Sequence, residues 1–125
     1  MSYARTWICL IALGYAAAAS GSTEYGFVNW VSVRASDGLI FFSLTTRGNT
    51  QLFPPPARTA APTCATQGYW IVRSETSAAG QLQYDQLMRA KANSIPVVVR
   101  GSAACTRWPD GEDAETVQVG GVGGE

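Results

Sequence analysis

Three cysteines, and the position of the first, constrain this chain more than any other feature. Cys9 lies in MSYARTWICLIALGYAAAASG, where Arg5 is the only charge before Glu24 and Trp7 to Ala19 form an apolar run ending in small residues. A basic start, an apolar segment and an A-x-A-like site are the pattern of a secretory signal. Residues 1–19 are therefore expected to be removed, with Ala17-Ala18-Ala19 or Ala16-Ala17-Ala18 as the cleavage site. The run is shorter than the roughly 20 apolar residues of a spanning helix; an uncleaved anchor is the alternative. Cys9 comes too early, and without small neighbours, to serve lipid attachment. Cleavage leaves Cys64 and Cys105 in an oxidising compartment, where a pair has one intramolecular connectivity. Closing that loop stabilises by roughly 4 kcal/mol on chain-entropy grounds. Free thiols or a bridge between copies are the alternatives.

What remains is a single small domain, residues 20–119, with a Gly-rich tail at 120–125 that is expected to fray. A domain of this size buries a modest core and gains much from a covalent staple. Without Arg5 it carries eight basic and nine acidic side chains. No Lys/Arg cluster stands out, so neither a nucleic acid held by phosphate neutralisation nor an anionic membrane surface is supported as a partner. Once the signal is cleaved, no stable membrane insertion is expected, and the destination is secreted or periplasmic.

Short alternating runs fill most of this domain. Phe27 to Val33 alternates, with Phe27, Asn29, Val31 and Val33 on one face and Val28, Trp30 and Ser32 on the other; it reads as a strand. Ser36-Asp37-Gly38 is a turn signal, and Leu39 to Thr45 is a second strand, giving a hairpin. Phe53 to Pro62 carries four of the six prolines, which excludes helix and central strand and reads as an exposed loop. Tyr69 to Arg73 is a third strand. Ser74 to Ser77 supply capping hydroxyls for a helix from Ala78 to Asn93, with Gly80, Tyr84, Leu87, Met88 and Lys91 forming a stripe edged by Leu82 and Ala90. Pro96 blocks its continuation, and Ile95 to Val99 and Glu115 to Val119 are the fourth and fifth strands. The order β-β-β-α-β-β, mainly β with one helix, matches a small OB-fold-like Greek-key barrel whose helix plugs one end.

The stretch "SAAGQLQYDQLMRAKANSIPVVVRGSAACTRWPDGEDAETVQV" resembles a group of small secreted bacterial proteins. Their signature is a cysteine-tryptophan strand segment (here Cys64 with Trp70), a helix opening "AAGQ" (Ala78 to Gln81), a "PV-V-G" strand (Pro96, Val97, Gly101) and "C-x-x-W-x-D-x-E" (Cys105, Trp108, Asp113, Glu115). These proteins look like the OB-fold binding subunits of bacterial AB-type toxins, which form rings and bind host glycans. The resemblance spans Phe27 to Val119 and implies a glycan ligand and a homo-oligomer. Two departures stand out. Pro109-Asp110-Gly111-Glu112 replaces a tight Trp-Gly-Asp turn, and the last strand runs into Gly120-Gly121 instead of aromatic residues, which puts ring assembly through that strand in question.

The chain contains no histidine, which removes Ser-His-Asp and Cys-His catalysis and nearly all zinc and copper sites. The acids Asp110, Glu112, Asp113 and Glu115 lack the EF-hand pattern, which needs D-x-[DN]-x-[DN]-G and a later glutamate. They read as a hydrated Pro-Asp-Gly turn in a hairpin that Cys105 ties back, with Trp108 packed over the bridge. A hydrolase would instead need a cleft bringing Glu75 or Asp85 to Asp113 or Glu115. No catalytic residue, metal or cofactor is expected. Aromatic residues are the remaining lead. Most belong in a core or an interface, yet Phe41 and Phe42 cannot both point inward, and Trp30 lies opposite Phe27 and Val31. Trp30, Phe42, Arg73 and Trp108 are taken as ligand-binding candidates. The expectation is an exported, non-enzymatic binding protein for a glycan or a protein; the alternative is a monomeric periplasmic inhibitor or structural accessory acting through the Pro-rich loop 53–62.

Overall fold

The first two strands form because alternation meets a well-made turn. β1 (Thr23–Val33) and β2 (Ile40–Thr45) are joined where the Arg34 N–H donates to Leu39 O at 2.9 Å and Gly38 N–H to Arg34 O at 2.7 Å. Asp37 Oδ1 accepts the Leu39 N–H at 3.1 Å, the local side-chain bond that makes aspartate a turn residue. The computed structural model describes residues 21–46 and 58–120. The expected signal, Cys9, half of the Pro-rich loop (residues 53–57) and the tail beyond Gly120 lie outside the described residues.

Beyond this hairpin come β3 (Arg58–Thr59), β4 (Tyr69–Val72), α1 (Ala78–Asn93), β5 (Val97–Gly101) and β6 (Glu112–Val119). β1 pairs antiparallel with β2 from Phe27 onward and with β5 from Thr23 to Gly26. β2 pairs antiparallel with β4, β4 pairs parallel with β6, and β6 returns antiparallel to β5. The ring β1-β2-β4-β6-β5 therefore closes on itself. This is a five-stranded OB-like barrel with one helix and one disulfide, as the element order implied. The short β3 lies beside the start of β1, with Glu24 opposite Arg58; it falls within the proline-rich stretch and was not expected.

Phe42, Trp70, Val72, Val97 and Val99 fill the barrel, and Leu87 and Ala90 of α1 join the same cluster. The helix starts at Ser77, whose Oγ accepts the Gly80 N–H at 3.0 Å, and ends at Ser94 in the left-handed region. Its buried residues are Gly80, Leu87 and Ala90. Met88 and Leu82, placed on or beside the apolar stripe, are instead 41% and 64% exposed. A helix resting on one end of a small barrel needs only a narrow strip, so the residues flanking Leu87 face solvent. The strand limits also move: β1 begins at Thr23 and not Phe27, β5 is displaced to Val97–Gly101, and β6 begins at Glu112 and not Glu115.

Cys64 and Cys105 form the disulfide, with Cα atoms 6.2 Å apart. It joins the segment before β4 to the β5–β6 connection. Replacing both cysteines by serine is expected to lower the unfolding free energy by about 4 kcal/mol. Urea titration of the oxidised wild type beside the double variant measures this, and equal midpoints would show that the bridge is dispensable.

Candidate ligand-binding face

The site begins with an irregularity in β1. Val28 pairs with Leu44 and Trp30 with Ser43, so the register shifts and Asn29 is the extra residue. A bulge of this kind re-aims the side chains that follow it. Val28 is buried in the core while Trp30, two residues on, is 38% exposed. Regular alternation would have placed both on one face. Beyond the bulge, Val31 packs against the core and Trp30 stands on the outside. Lys91 of α1 donates from Nζ to Asn29 O at 2.8 Å.

Register then sets the neighbours. Trp30 lies opposite Ser43, and Ser43 opposite Tyr69. Trp30 and Tyr69 rings are 6.4 Å apart, Tyr69 and Phe41 5.7 Å, and Phe41 and Trp108 5.6 Å. The last two contacts are edge-to-face, a favoured aromatic geometry. The Arg34 guanidinium closes the row, 4.4 Å from the Trp108 ring centre and 5.7 Å from that of Phe41. Four aromatic side chains from β1, β2, β4 and the β5–β6 loop thus run across the outer wall, between the β1–β2 turn and that loop.

Trp108 is held there by a loop without regular structure but with many anchors. Asp113, almost fully buried, accepts the N–H groups of Thr106 and Arg107 at 3.2 Å each, and the Thr106 hydroxyl. The Ser102 N–H donates to Asp113 O at 3.0 Å, and the Asp113 N–H to Ala104 O at 2.9 Å. Arg107 pairs with Glu75, itself buried at the start of the helical region. The Tyr69 hydroxyl donates to Asp110, and the Gln67 N–H reaches Asp110 O at 3.2 Å. The loop also lies close on the wall: a Cβ on Gly111 would be 2.7 Å from Tyr69 Cε2 and 3.2 Å from Ile71 Cδ1. Ile71, whose strand partners are Phe41 and Asp113, is completely buried.

These contacts revise the reading of Cys105 to Val119. A hairpin turn is present, with Trp108 bridged to Gly111, but only Asp110 and Glu115 of its four acids reach solvent. Glu112 and Asp113 are 0% and 1% exposed and belong to β6. Each is buried because hydrogen bonds satisfy it, the condition that permits burial of a charge. Trp108 packs on Phe41 and Arg34. Glu75 and Asp113 do approach the same loop, but each is occupied in holding residues 106 and 107.

Of the four candidate ligand residues, Trp30 and Trp108 stand in the row. Phe42 does not: it is completely buried in the core, so it offers no surface to a ligand, and Phe41 is the outward member of that pair. Arg73 is exposed and pairs with Glu115 at 2.5 Å; none of its contacts belongs to the row. Sequence reasoning recognised that one of Phe41 and Phe42 must point outward but took Phe42, did not take Tyr69 as a candidate, and passed over Arg34. Arg34 sits at the hairpin turn, and Phe41 and Tyr69 share the outer parity of β2 and β4, which was the available signal.

Three charged groups stand beside the row: Arg34, Asp37 and Asp110. Arg34 and Asp37 form an ion pair, and the guanidinium holds the Asp37 carboxyl well below its ordinary range, at about 2. Burial, and then Asp110, raise the Tyr69 hydroxyl, which stays protonated. Among the described residues no group of three or more His, Cys, Asp or Glu is arranged to hold a metal ion. Comparisons with family models, curated proteins and solved structures return no match.

Replacing Asp113 by alanine should free the N–H groups of Thr106 and Arg107 and cost about 3 kcal/mol, given that one hydrogen bond to a charged group is worth about 1.5–3 kcal/mol. Acrylamide quenching of tryptophan fluorescence should increase with the bridge intact, as Trp108 leaves Phe41. Unchanged quenching would show that the disulfide alone positions the loop.

Proposed function

We propose that this chain is an exported, non-enzymatic binding domain whose ligand is a glycan seated on Trp30, Tyr69, Phe41 and Trp108. The observation that carries the reading is the continuous aromatic row on the outer wall, placed between the β1–β2 turn and the β5–β6 loop. In OB barrels the corresponding wall and loops bind oligosaccharides and oligonucleotides. The apolar face of a sugar ring stacks on exposed indole or phenol, and the exposed polar side chains of Asn29 and Ser32 beside Trp30 offer partners for hydroxyl groups. Single-stranded nucleic acid also stacks on such surfaces, but it requires a positively charged groove. Here Arg34 and Asp37 neutralise one another and Asp110 adds a negative charge.

Export is part of the proposal. Among the described residues no helix is long and apolar enough to cross a membrane, and the disulfide is compatible with an extracellular or periplasmic location. The resemblance to toxin binding subunits adds a ring of copies presenting several such faces, which the mass of the mature protein under non-reducing conditions tests. The rival reading through the Pro-rich loop rests in part on residues outside those described, its Phe53 tip among them, and no observation favours it.

A glycan array probed with the mature protein, followed by calorimetry on any ligand found, tests the assignment. Trp30→Ala and Trp108→Ala should each weaken binding about tenfold or more, equivalent to at least about 1.4 kcal/mol. Trp30→Ala should leave thermal stability nearly unchanged, because that ring is partly solvated. An empty array, or full affinity in both variants, would remove this face from consideration.

A further inference from the structure

The acids of this domain divide by what answers their charge. Asp37 holds Arg34, Glu75 holds Arg107 and Glu115 holds Arg73. Glu112 accepts the Ser22 hydroxyl at 2.6 Å and has Arg58 at 3.5 Å. Asp113 collects two N–H groups and a hydroxyl, and Glu24 takes the Trp70 indole N–H at 2.5 Å. Asp85 stands exposed on α1. Asp110 is a different case, because it has no ion pair among the described residues and yet lies within the aromatic row. Its Oδ1 accepts the Tyr69 hydroxyl, and among the described residues its Oδ2 accepts nothing.

This half-buried carboxylate is held in place. The Tyr69 hydroxyl fixes its side chain, and the Gln67 N–H, donating to Asp110 O at 3.2 Å, fixes its backbone. Gly111 follows so near the wall that a Cβ there would meet the Tyr69 ring edge at 2.7 Å. Trp108 bridges to the same glycine. One carboxylate oxygen is therefore kept open beside Tyr69, in the turn that carries Trp108.

We propose that Asp110 selects the ligand: the glycan on the row carries a free ammonium group, as in a de-N-acetylated hexosamine, and Asp110 pairs with it. The inference rests on the row being the glycan site. Two features of the wall favour a cation there. Aromatic faces carry the negative end of the ring quadrupole and attract cations, and a fixed carboxylate forms a charge-assisted hydrogen bond with an ammonium. Because the turn is already anchored, little ordering is left to oppose that bond. Arg34, stacked on Trp108, does not reverse the preference, since Asp37 engages its guanidinium with both oxygens. Arg107, next to Trp108 in sequence, is taken by Glu75. One cation and two anions beside the row leave a single negative charge, and Asp110 is the group without a partner. An acidic sugar would meet that carboxylate unpaired and be rejected, the repulsive half of specificity.

Calorimetry of the mature protein in low-salt, mildly acidic buffer tests the assignment with three probes: the glucosamine trisaccharide with its amines protonated, its N-acetylated counterpart, and a galacturonate trisaccharide. The amine form should bind about tenfold tighter than the N-acetylated form, and the galacturonate most weakly. Salt at about 0.5 M should erase most of that preference, because the pairing charge is open to solvent. Asp110→Asn, which keeps an acceptor for the Tyr69 hydroxyl, should weaken binding of the amine form about tenfold and abolish its preference. Equal affinity for the first two probes, tightest binding of the galacturonate (which would assign recognition to Arg34), or a preference retained in Asp110→Asn would overturn the proposal. Should that variant fail to fold, the wild type decides: a preference lost in high salt supports the pairing, and one that survives overturns it. Binding of none of the three probes overturns amine selection, whereas the row itself falls only if the glycan array is empty as well.

Discussion

Everything in this barrel depends on β1 serving two neighbours. Its first residues pair with β5 and the remainder with β2, so the strand must bend where it changes partners. Gly26 marks that point: it is the last residue paired with β5, and a Cβ there would lie 2.6 Å from the backbone oxygen of Thr45. Bending at that position closes the ring and removes the open edges on which strands of other molecules could add. A little further along, the Asn29 bulge turns Trp30 outward. Closure and the outward turn of the aromatic row thus arise within a few residues of one strand.

The second constraint is the β5–β6 loop, which must stay on the outer wall without a ladder of its own. A disulfide limits how far the unfolded chain can wander but does not by itself choose a native conformation. That choice comes from Asp113, which collects two backbone N–H groups and a hydroxyl, and from the Arg107–Glu75 pair. Preorganisation of this kind cuts the entropy lost on binding, so a ligand meeting Trp108 need not order the loop that carries it.

How much of this was legible in the sequence follows from the range of each interaction. Alternation and turn chemistry are local, and they located the five barrel strands and the Asp37 turn, though not the short β3. Helix caps are local too, and α1 occupies Ala78–Asn93 as read. The cysteine pair followed from counting. What escaped depends on contacts between distant segments. Glu112 and Asp113 look like solvated acids beside a Pro-Asp-Gly turn until Ser22 and Arg58, far away in sequence, are brought to the first and the loop folds back over the second. Phe41 and Phe42 are equivalent to composition; only pairing with β4 decides which faces the core. The bulge at Asn29 breaks the parity on which strand reading rests, and no turn residue announces it.

The misread acids have one cause. Acids were expected outside, and at the connections of this domain Glu75, Glu112 and Asp113 are buried. A five-stranded barrel has room for few side chains, and much of its length lies in connections whose backbone groups need partners. Buried acids supply them: Glu112 binds the N–H of Ser22 just before β1, Asp113 fixes the β5–β6 loop, and Glu75 secures Arg107. With connections fixed by carboxylates, four aromatic side chains are left to cover the wall. Covering Ile71 uses only part of their area, and Trp30 keeps a face in solvent. The structural demand that buries the acids is therefore the same one that leaves an apolar surface available to a ligand.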